Sequence, residues 1–452
     1  MTIEEIYTQT TDPAERLQKI NEQNKLKNET GAAVKEYNGD RKLRKTQVGN
    51  RTDRKLKSGD SVDVSRIPWN FQKNITRTAA AILMGKPVRI QAAGGEDISE
   101  LVGEWNRVRM PYFLLKACER AKAYRQSAIL FRKVGQGQDE RIAPVVLDPK
   151  QGDLIPLWAE WDVMDAFVYS TRVKETIDGE EKEVVITYVF QETQVETYRQ
   201  VGDEITTETA AHGFDRIPVV YFEEEEVEYE DVKTGIDSFE MRYSRLVDTN
   251  DYFGAPILKA LGDVDEVPSK DQDGEMYLLD IIEVEGGGVV QSDIDVVSWD
   301  SQIESVKLEL ETGRRLIYDL SMTPDLSFEN VKGIGSLSGT ALGMMFLQSQ
   351  IKAAYSWPLY KIGVERALNI FRNNYNGASF EGVVFDIQRQ EITPQNLQET
   401  ISTLSEAAFN KPIMSQRTAV AANPLVQDPT AEMTALDEEA AGELGGSLNL
   451  EE

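Results

Sequence analysis

Two segments with the same apolar spacing, set on either side of an insertion of about forty residues, constrain this chain more than any other feature of it. Ile236, Phe239, Tyr243, Leu246, Asn250 and Phe253 follow one another by alternating threes and fours, which places all six on one side of an α-helix. Ile303, Val306, Leu310, Gly313, Ile317 and Leu320 repeat the pattern. Ser301 with Glu304 forms a capping box that opens the second helix, and Gly313 on its stripe lets a neighbouring backbone approach. A helix with a single apolar stripe needs a surface to cover it. The insertion between the two reads as strand and loop, in MYLLDIIEVEG and GGVVQSDIDVVSW. The chain must therefore contain a helix, a small insertion and a second helix whose stripes face something.

Around this unit the texture varies. Residues 1–30 read as polar helix. Residues 35–57 are basic, with Arg41, Lys42, Arg44, Lys45, Arg51, Arg54, Lys55 and Lys57 among them; such a run is either a solvated arm or a contact for nucleic acid or an acidic neighbour. A helix pattern through Ile75, Ala79 and Leu83 closes at Gly85-Lys86-Pro87. Residues 110–132 predict a helix and a short strand. From about 143 to 222, runs such as DAFVYS and KEVVITYVFQ alternate with polar turns, as in an antiparallel sheet. After an acidic block at 223–231 and the paired helices comes a Gly/Ser-rich loop, 322–337. A long helix then runs over 338–373, with the stripe Ala341, Met345, Ile351, Tyr355, Leu359 and Ile362 and a kink expected at Pro358. A strand over 380–387, a helix opened by Thr393-Pro394 and an acidic, Gly-rich end complete the chain.

Composition removes several functions. His212 and Cys118 are the only histidine and the only cysteine. A His–Cys zinc site, most Ser–His or Cys–His nucleophilic sites and an intrachain disulfide are thereby excluded. His212, in AHGFDRIPVV, reads as a turn residue. No Walker lysine, calcium loop or dinucleotide fingerprint stands out, so no cofactor is expected. No apolar run suggests a membrane span, the N-terminus lacks a secretory h-region, and the single cysteine fits a reducing cytoplasm. The formal charge of −28 opposes tight phosphate binding.

Two blocks carry a resemblance to a known family. Gly213-Phe214-Asp215-Arg216-Ile217-Pro218-Val219-Val220-Tyr221-Phe222, followed by an acidic gap and the helix from Ile236, resembles the "G-x-I-P-h-h-x-F" strand that leads into the first stem helix of portal proteins of long-tailed phages with non-contractile tails. Leu337-Ser338-Gly339-Thr340-Ala341-Leu342 resembles the "S-G-x-A-L" start of that family's tunnel helix. Two positions depart: Gly343 stands where the family commonly carries a base, and the Gly-containing "Y-G-x-A" turn falls on Tyr124-Arg125-Gln126-Ser127-Ala128.

The resemblance implies a non-enzymatic virion protein of mixed α+β portal fold, with a β-rich wing, long stem and tunnel helices, a small α/β clip and a helical crown. It places the wing at 1–232 with 374–392, the stem helices at 233–254 and 300–321, and the clip at 255–299. The tunnel loop falls at 322–337, the tunnel helix at 338–373, and the crown with its acidic tail at 393–452. It further implies a ring of about twelve copies at one capsid vertex, assembled in the host cytoplasm, through which double-stranded DNA is packaged and ejected. The expected partners are the terminase packaging motor, a head–tail adaptor, and the major capsid and scaffolding proteins; a membrane is not among them. The site residues follow. Asp325, Ser327, Glu329, Asn330, Lys332, Gly333, Gly335 and Ser336 would line the DNA channel from the tunnel loop. Ile236, Phe239, Tyr243, Leu246, Ile303, Val306, Leu310, Gly313 and Ile317 would form the stem interface between subunits. Met276, Val289, Asp293 and Asp295 would present the clip to motor and adaptor. Competing readings are another virion part, such as a minor head or adaptor protein, and a nuclease using carboxylate-bound magnesium, although the carboxylates are spread along loops rather than clustered.

Overall fold

The computed structural model describes residues 2–39, 48–55, 59, 61–135, 140–159, 163–177, 179–253, 257–261, 281–284, 288–291, 293–297, 303–326, 339–374, 380, 382–392, 397–409, 412–423, 425–426 and 432–439. It divides into two units, residues 1–323 with 353–390 and residues 324–352 with 391–452. Mixed helices and sheets make the chain α+β.

In the first unit, helices α1 (Ile3–Gln9) and α2 (Pro13–Glu22) begin at side-chain caps, Thr2 and Asp12, each accepting a backbone N–H of the first turn. They lie on an antiparallel five-stranded sheet whose order is the reverse of the sequence: β10 (Glu204–Ala211), β9 (Gln194–Val201), β8 (Glu180–Phe190), β7 (Met164–Ile177) and β6 (Gly152–Trp158). Strand alternation assigns the two faces. Ile155, Leu157, Ala166, Val168 and Val189 join Ile3, Ile6, Leu17 and Ile20 under the helices. Their neighbours Leu154, Phe167 and Phe190 face the other way, onto Ala128, Leu130, Leu147 and Val219 of a second sheet. That sheet has the order β11 (Val219–Glu223), β4 (Gln126–Val134), β5 (Arg141–Leu147). The GFDRIPVVYF motif thus ends in the strand that pairs with β4. His212 is a bracket between turns: its Nε2 faces the Gln191 carbonyl at 3.0 Å and its Nδ1 accepts the Phe214 N–H at 3.2 Å.

Helices α3 (Lys27–Tyr37), α4 (Phe71–Met84), α5 (Ser99–Arg107) and α6 (Met110–Tyr124) form a layer beside this sheet. Arg125, at the family's glycine turn, adopts φ 71°, a left-handed conformation that costs a side-chain-bearing residue about 1–2 kcal/mol. The arginine is held there by an ion pair with Glu29 and by donating to the Glu224 carbonyl at 3.3 Å.

The longest helix, α9 (Gly339–Asn374), runs through Pro358 unbroken. Its C-terminal half lies in the first unit and is fixed to β11. Arg366 Nε donates to the Val219 carbonyl at 2.8 Å, Tyr360 stacks on Phe222 at 5.2 Å, and Gly363 meets Phe222 so closely that a Cβ would collide with the ring. Beneath Tyr360 lies a buried charge cluster. Lys122 Nζ sits 2.8 Å from Glu228 and 3.3 Å from Glu224, and Tyr360 donates to Glu224 at 2.7 Å. Farther on, β16 (Phe385–Gln388) pairs with β3 (Arg89–Ala92), nearly three hundred residues away in the chain.

Helix α7 (Lys233–Phe253) and helix α8 (Ile303–Leu320) confirm the two sequence stripes as helices. Between them, the described residues are strands: β12 (Ile257–Leu261) pairs with β15 (Asp293–Val297), and β13 (Ile281–Val284) with β14 (Gly288–Gln291). Two short strands, β1 (Arg54–Lys55) and β2 (Ser61–Val62), pair antiparallel ahead of α4. In the second unit, α10 (Leu397–Ala408) and α11 (Gln416–Ala422) pack on each other. Among the described residues no helix is long and apolar enough to cross a membrane.

Candidate assembly surface on the helical hairpin

The two striped helices pair with each other in one chain. Gly235 lies beside Ile317, Gly313 beside the Phe239 ring, and Arg242 forms a 3.1 Å ion pair with Glu309, a sequence of contacts that runs antiparallel. A Cβ on Gly313 would stand 3.6 Å from Phe239, so the small residue admits the ring at ordinary contact distance. Ile236 and Ile317 are buried in a cluster with Tyr37, Ile75, Tyr124, Tyr229 and Val232. Tyr243, Leu246, Val306 and Leu310 are half-buried, and Ile303 is the first residue of α8. Four of the nine expected interface residues, Ile236, Phe239, Gly313 and Ile317, are therefore brought together inside the subunit.

What α8 leaves open is a second row. Leu308, Leu316 and Leu320 are 65%, 47% and 60% exposed, and they fall within one third of the helix circumference at 100° per residue. With Val232, Gly235 and Phe239 they line a groove of about 650 Å³ along the hairpin. Reading only the 3–4 stripe passes over Leu308 and Leu316. Their signal is an apolar residue recurring at i and i+8 beside the main stripe.

An extended strap crosses the other side of α7. Ser65 donates its N–H to Asp248 at 2.7 Å, Ile67 to Ser244 at 3.1 Å, and Trp69 to Glu240 at 2.7 Å. Acceptors four residues apart on a helix rise about 6 Å per step, close to the two-residue repeat of an extended chain; the match lets one helix face satisfy alternate amides. Arg51 pairs with Asp248 and donates to the Ser65 carbonyl. Burial works to raise the Asp248 pKa, but the Ser65 N–H and the Arg51 guanidinium hold it below the ordinary carboxylate range. Trp69 packs edge-on to Tyr243 at 5.2 Å, and Phe71 edge-on to Phe239 at 5.4 Å. Part of the basic run is thus engaged within the chain. Glu240, Ser244 and Asp248 escape the sequence reading because polar residues at i, i+4 and i+8 also describe a solvated helix face.

Helix α9 behaves unlike its predicted stripe. Its buried apolar residues in the first unit are Ala353, Tyr360, Val364, Ala367, Leu368, Ile370 and Phe371, whereas Tyr355 and Ile362 are 87% and 67% exposed. Met344, Leu347 and Ile351, in the second unit, are exposed as well. Apolar periodicity marks a surface suited to being covered; it does not say that the same chain covers it.

The remaining expected sites are spread along the chain. Val289, Asp293 and Asp295 lie on strands of the insertion, with Asp295 opposite Lys259 in register. Asp325 is half-buried just after α8. Met276, Ser327, Glu329, Asn330, Lys332, Gly333, Gly335 and Ser336 lie outside the described residues.

A family described as "Phage portal protein, SPP1 Gp6-like" matches residues 16–445. The chain is also similar to the portal protein of Bacillus phage SPP1, 26% identical over 243 residues, which make up 51% of this chain and 45% of that protein. The chain thus spans less than half the length of that relative. Members of the family are structural, non-enzymatic components of the virion. With the match extending over nearly all of the sequence, helices α7 and α8 included, the chain belongs to the SPP1 Gp6-like phage portal family.

Proposed function

We propose that this chain is the subunit of a ring of about twelve copies at one capsid vertex, through which double-stranded DNA enters and leaves the head. The single observation that carries the ring is the open leucine row of α8 with its groove. In one subunit the hairpin closes only part of its first stripe internally and leaves an apolar row open, which a neighbouring copy covers in a head-to-tail ring. The exposed row on α9, including Tyr355 and Ile362, supplies further apolar surface for the same purpose. A charge of −28 per subunit repels phosphate along the whole channel, so a duplex slides without being held. The loop at 322–337 lines the narrowest part, where Lys332 gives one weak, salt-screened phosphate contact against Asp325 and Glu329. The strands around Asp293 and Asp295 dock the packaging motor and then the head–tail adaptor, and the wing meets the capsid and scaffolding proteins.

Light scattering of the purified chain, with negative-stain images, tests the reading. Wild type should form rings, and Leu308→Asp with Leu316→Asp should give dissociated, folded subunits, because each change would bury an unpaired charge at every interface. A wild-type monomer at micromolar concentration and moderate salt sinks the ring. For the channel, Gly333→Pro with Gly335→Pro should leave rings intact and heads empty in a complementation assay; full-length packaged genomes would refute gating by the loop. Reversing Asp293 and Asp295 should likewise spare the ring and impair packaging or tail joining, and normal phage yield would refute docking there.

A further inference from the structure

The outer edge of the five-stranded sheet is β10, eight residues of which all but Ile205 are exposed. Its register tells which amides are free. Val201 faces Glu204 across a two-residue turn, and the ladder with β9 continues through eight pairs without a shift. Just past its end, in the same phase, His212 donates its N–H to the Thr193 carbonyl. Alternate residues of an antiparallel strand bond to the same neighbour. Glu204, Thr206, Glu208 and Ala210 therefore bond to β9, while Ile205, Thr207, Thr209 and Ala211 turn their N–H and C=O groups outward. Among the described residues nothing accepts those four N–H groups.

Edge strands are usually blunted by lysine, proline, a bulge or short length. β10 has none of these, and Ile205 with three threonines favours the extended state. Its only charges are Glu204 and Glu208. A second copy is a poor cover. Antiparallel pairing of β10 with itself sets these glutamates among each other, adds a chain of the same −28 charge, and makes a two-fold contact that cannot propagate around a ring. The far edge, β6, is flanked by residues 23–26, Tyr221 and Glu223 around a cleft of about 320 Å³ rather than open. We propose that β10 is a strand-addition site for another protein, which contributes an extended segment bearing lysine or arginine opposite Glu204 and Glu208. The symmetry step rests on the ring reading; the geometry of the edge and its charge do not.

Hydrogen exchange resolved to neighbouring amides tests the site, on the purified chain and on intact virions. In the purified chain the outward amides of Ile205, Thr207, Thr209 and Ala211 should exchange rapidly while the alternate ones are slow. In virions the outward set should slow by at least about tenfold, the loss of exchange expected for newly paired amides. Glu204→Lys with Glu208→Lys, which leaves the β9 ladder intact, should abolish that slowing, as should Thr207→Pro, which removes only an outward N–H. Ring formation of the purified variants, read by light scattering, should be unchanged, so failure here is distinct from failure of the ring. Slowing already present in the purified chain would mean a second copy covers the strand and overturns the proposal. Fast exchange in virions, or slowing that survives the charge reversal, overturns it too.

Discussion

Replacing Lys122 with methionine isolates the contribution of the charge cluster that fixes α9 to the sheet. The Lys122 side chain is 4% exposed, Glu228 5% and Glu224 17%. Methionine keeps most of the stem volume and removes the ammonium. Tyr360 still donates to Glu224, but two carboxylates then face each other in a nearly dry site. Removing one partner of a buried pair costs about 3–5 kcal/mol, because the remaining charge is uncompensated, and the second acid puts this variant at the upper end. Adding Glu228→Gln removes one of the two facing carboxylate charges, the more buried one, and should restore more than half of the loss. Burial alone would depress the lysine pKa, but Glu228 and Glu224 raise it above its ordinary value. A raised folded pKa leaves the contribution fully present below the unfolded value of about 10.4, and it is lost only as pH rises through the folded one. The penalty should therefore be the same from pH 6 to 9. Urea unfolding at fixed protein concentration measures it, since oligomerisation is linked to stability. A methionine variant within about 1 kcal/mol of wild type, or a double variant no better than the single one, would refute the reasoning.

Three further outcomes are expected. Burial pushes the Cys118 thiol up to about 12, so it should resist a disulfide reagent at pH 8 until the chain unfolds; stoichiometric labelling of native protein would show the site open. For Asp215, partial burial acts upward, but Arg216, Asn373 and Asn374 hold its pKa down to about 2. Its contribution is thus present above about pH 3.9 and lost as pH falls toward 2, a modest loss at an exposed group. Asp215→Asn should flatten acid unfolding in that window, and an unchanged acid limb would count against it. Glu240→Ala leaves the Trp69 N–H without its acceptor, a loss of about 1–3 kcal/mol; trypsin should then cut sooner at Arg51, Arg54 or Arg66, and unchanged cleavage would show that the strap is not held by that ladder.

Local pattern was enough to find the helices at 233–253 and 303–320, the strand-rich stretch, and the long helix carrying Pro358, because period and caps are written in neighbouring residues. It also excluded a His–Cys zinc site and an intrachain disulfide by count alone, and the order of motifs identified the family. Partnership was decided elsewhere. Whether Ile317 meets Phe239 of its own chain or another, whether Ile351 and Ile362 are covered, and that β3 finds β16 all depend on which surfaces come together over long separations. Arg125 makes the point locally: nothing in its neighbours predicts a left-handed arginine, because its ion partner Glu29 and the carbonyl of Glu224 come from about a hundred residues away on either side. The sequence by itself determined which faces must be buried. Only the tertiary structure decided what buries them, because apolar attraction is non-directional and the same stripe is satisfied equally by a helix of its own chain or by a neighbour.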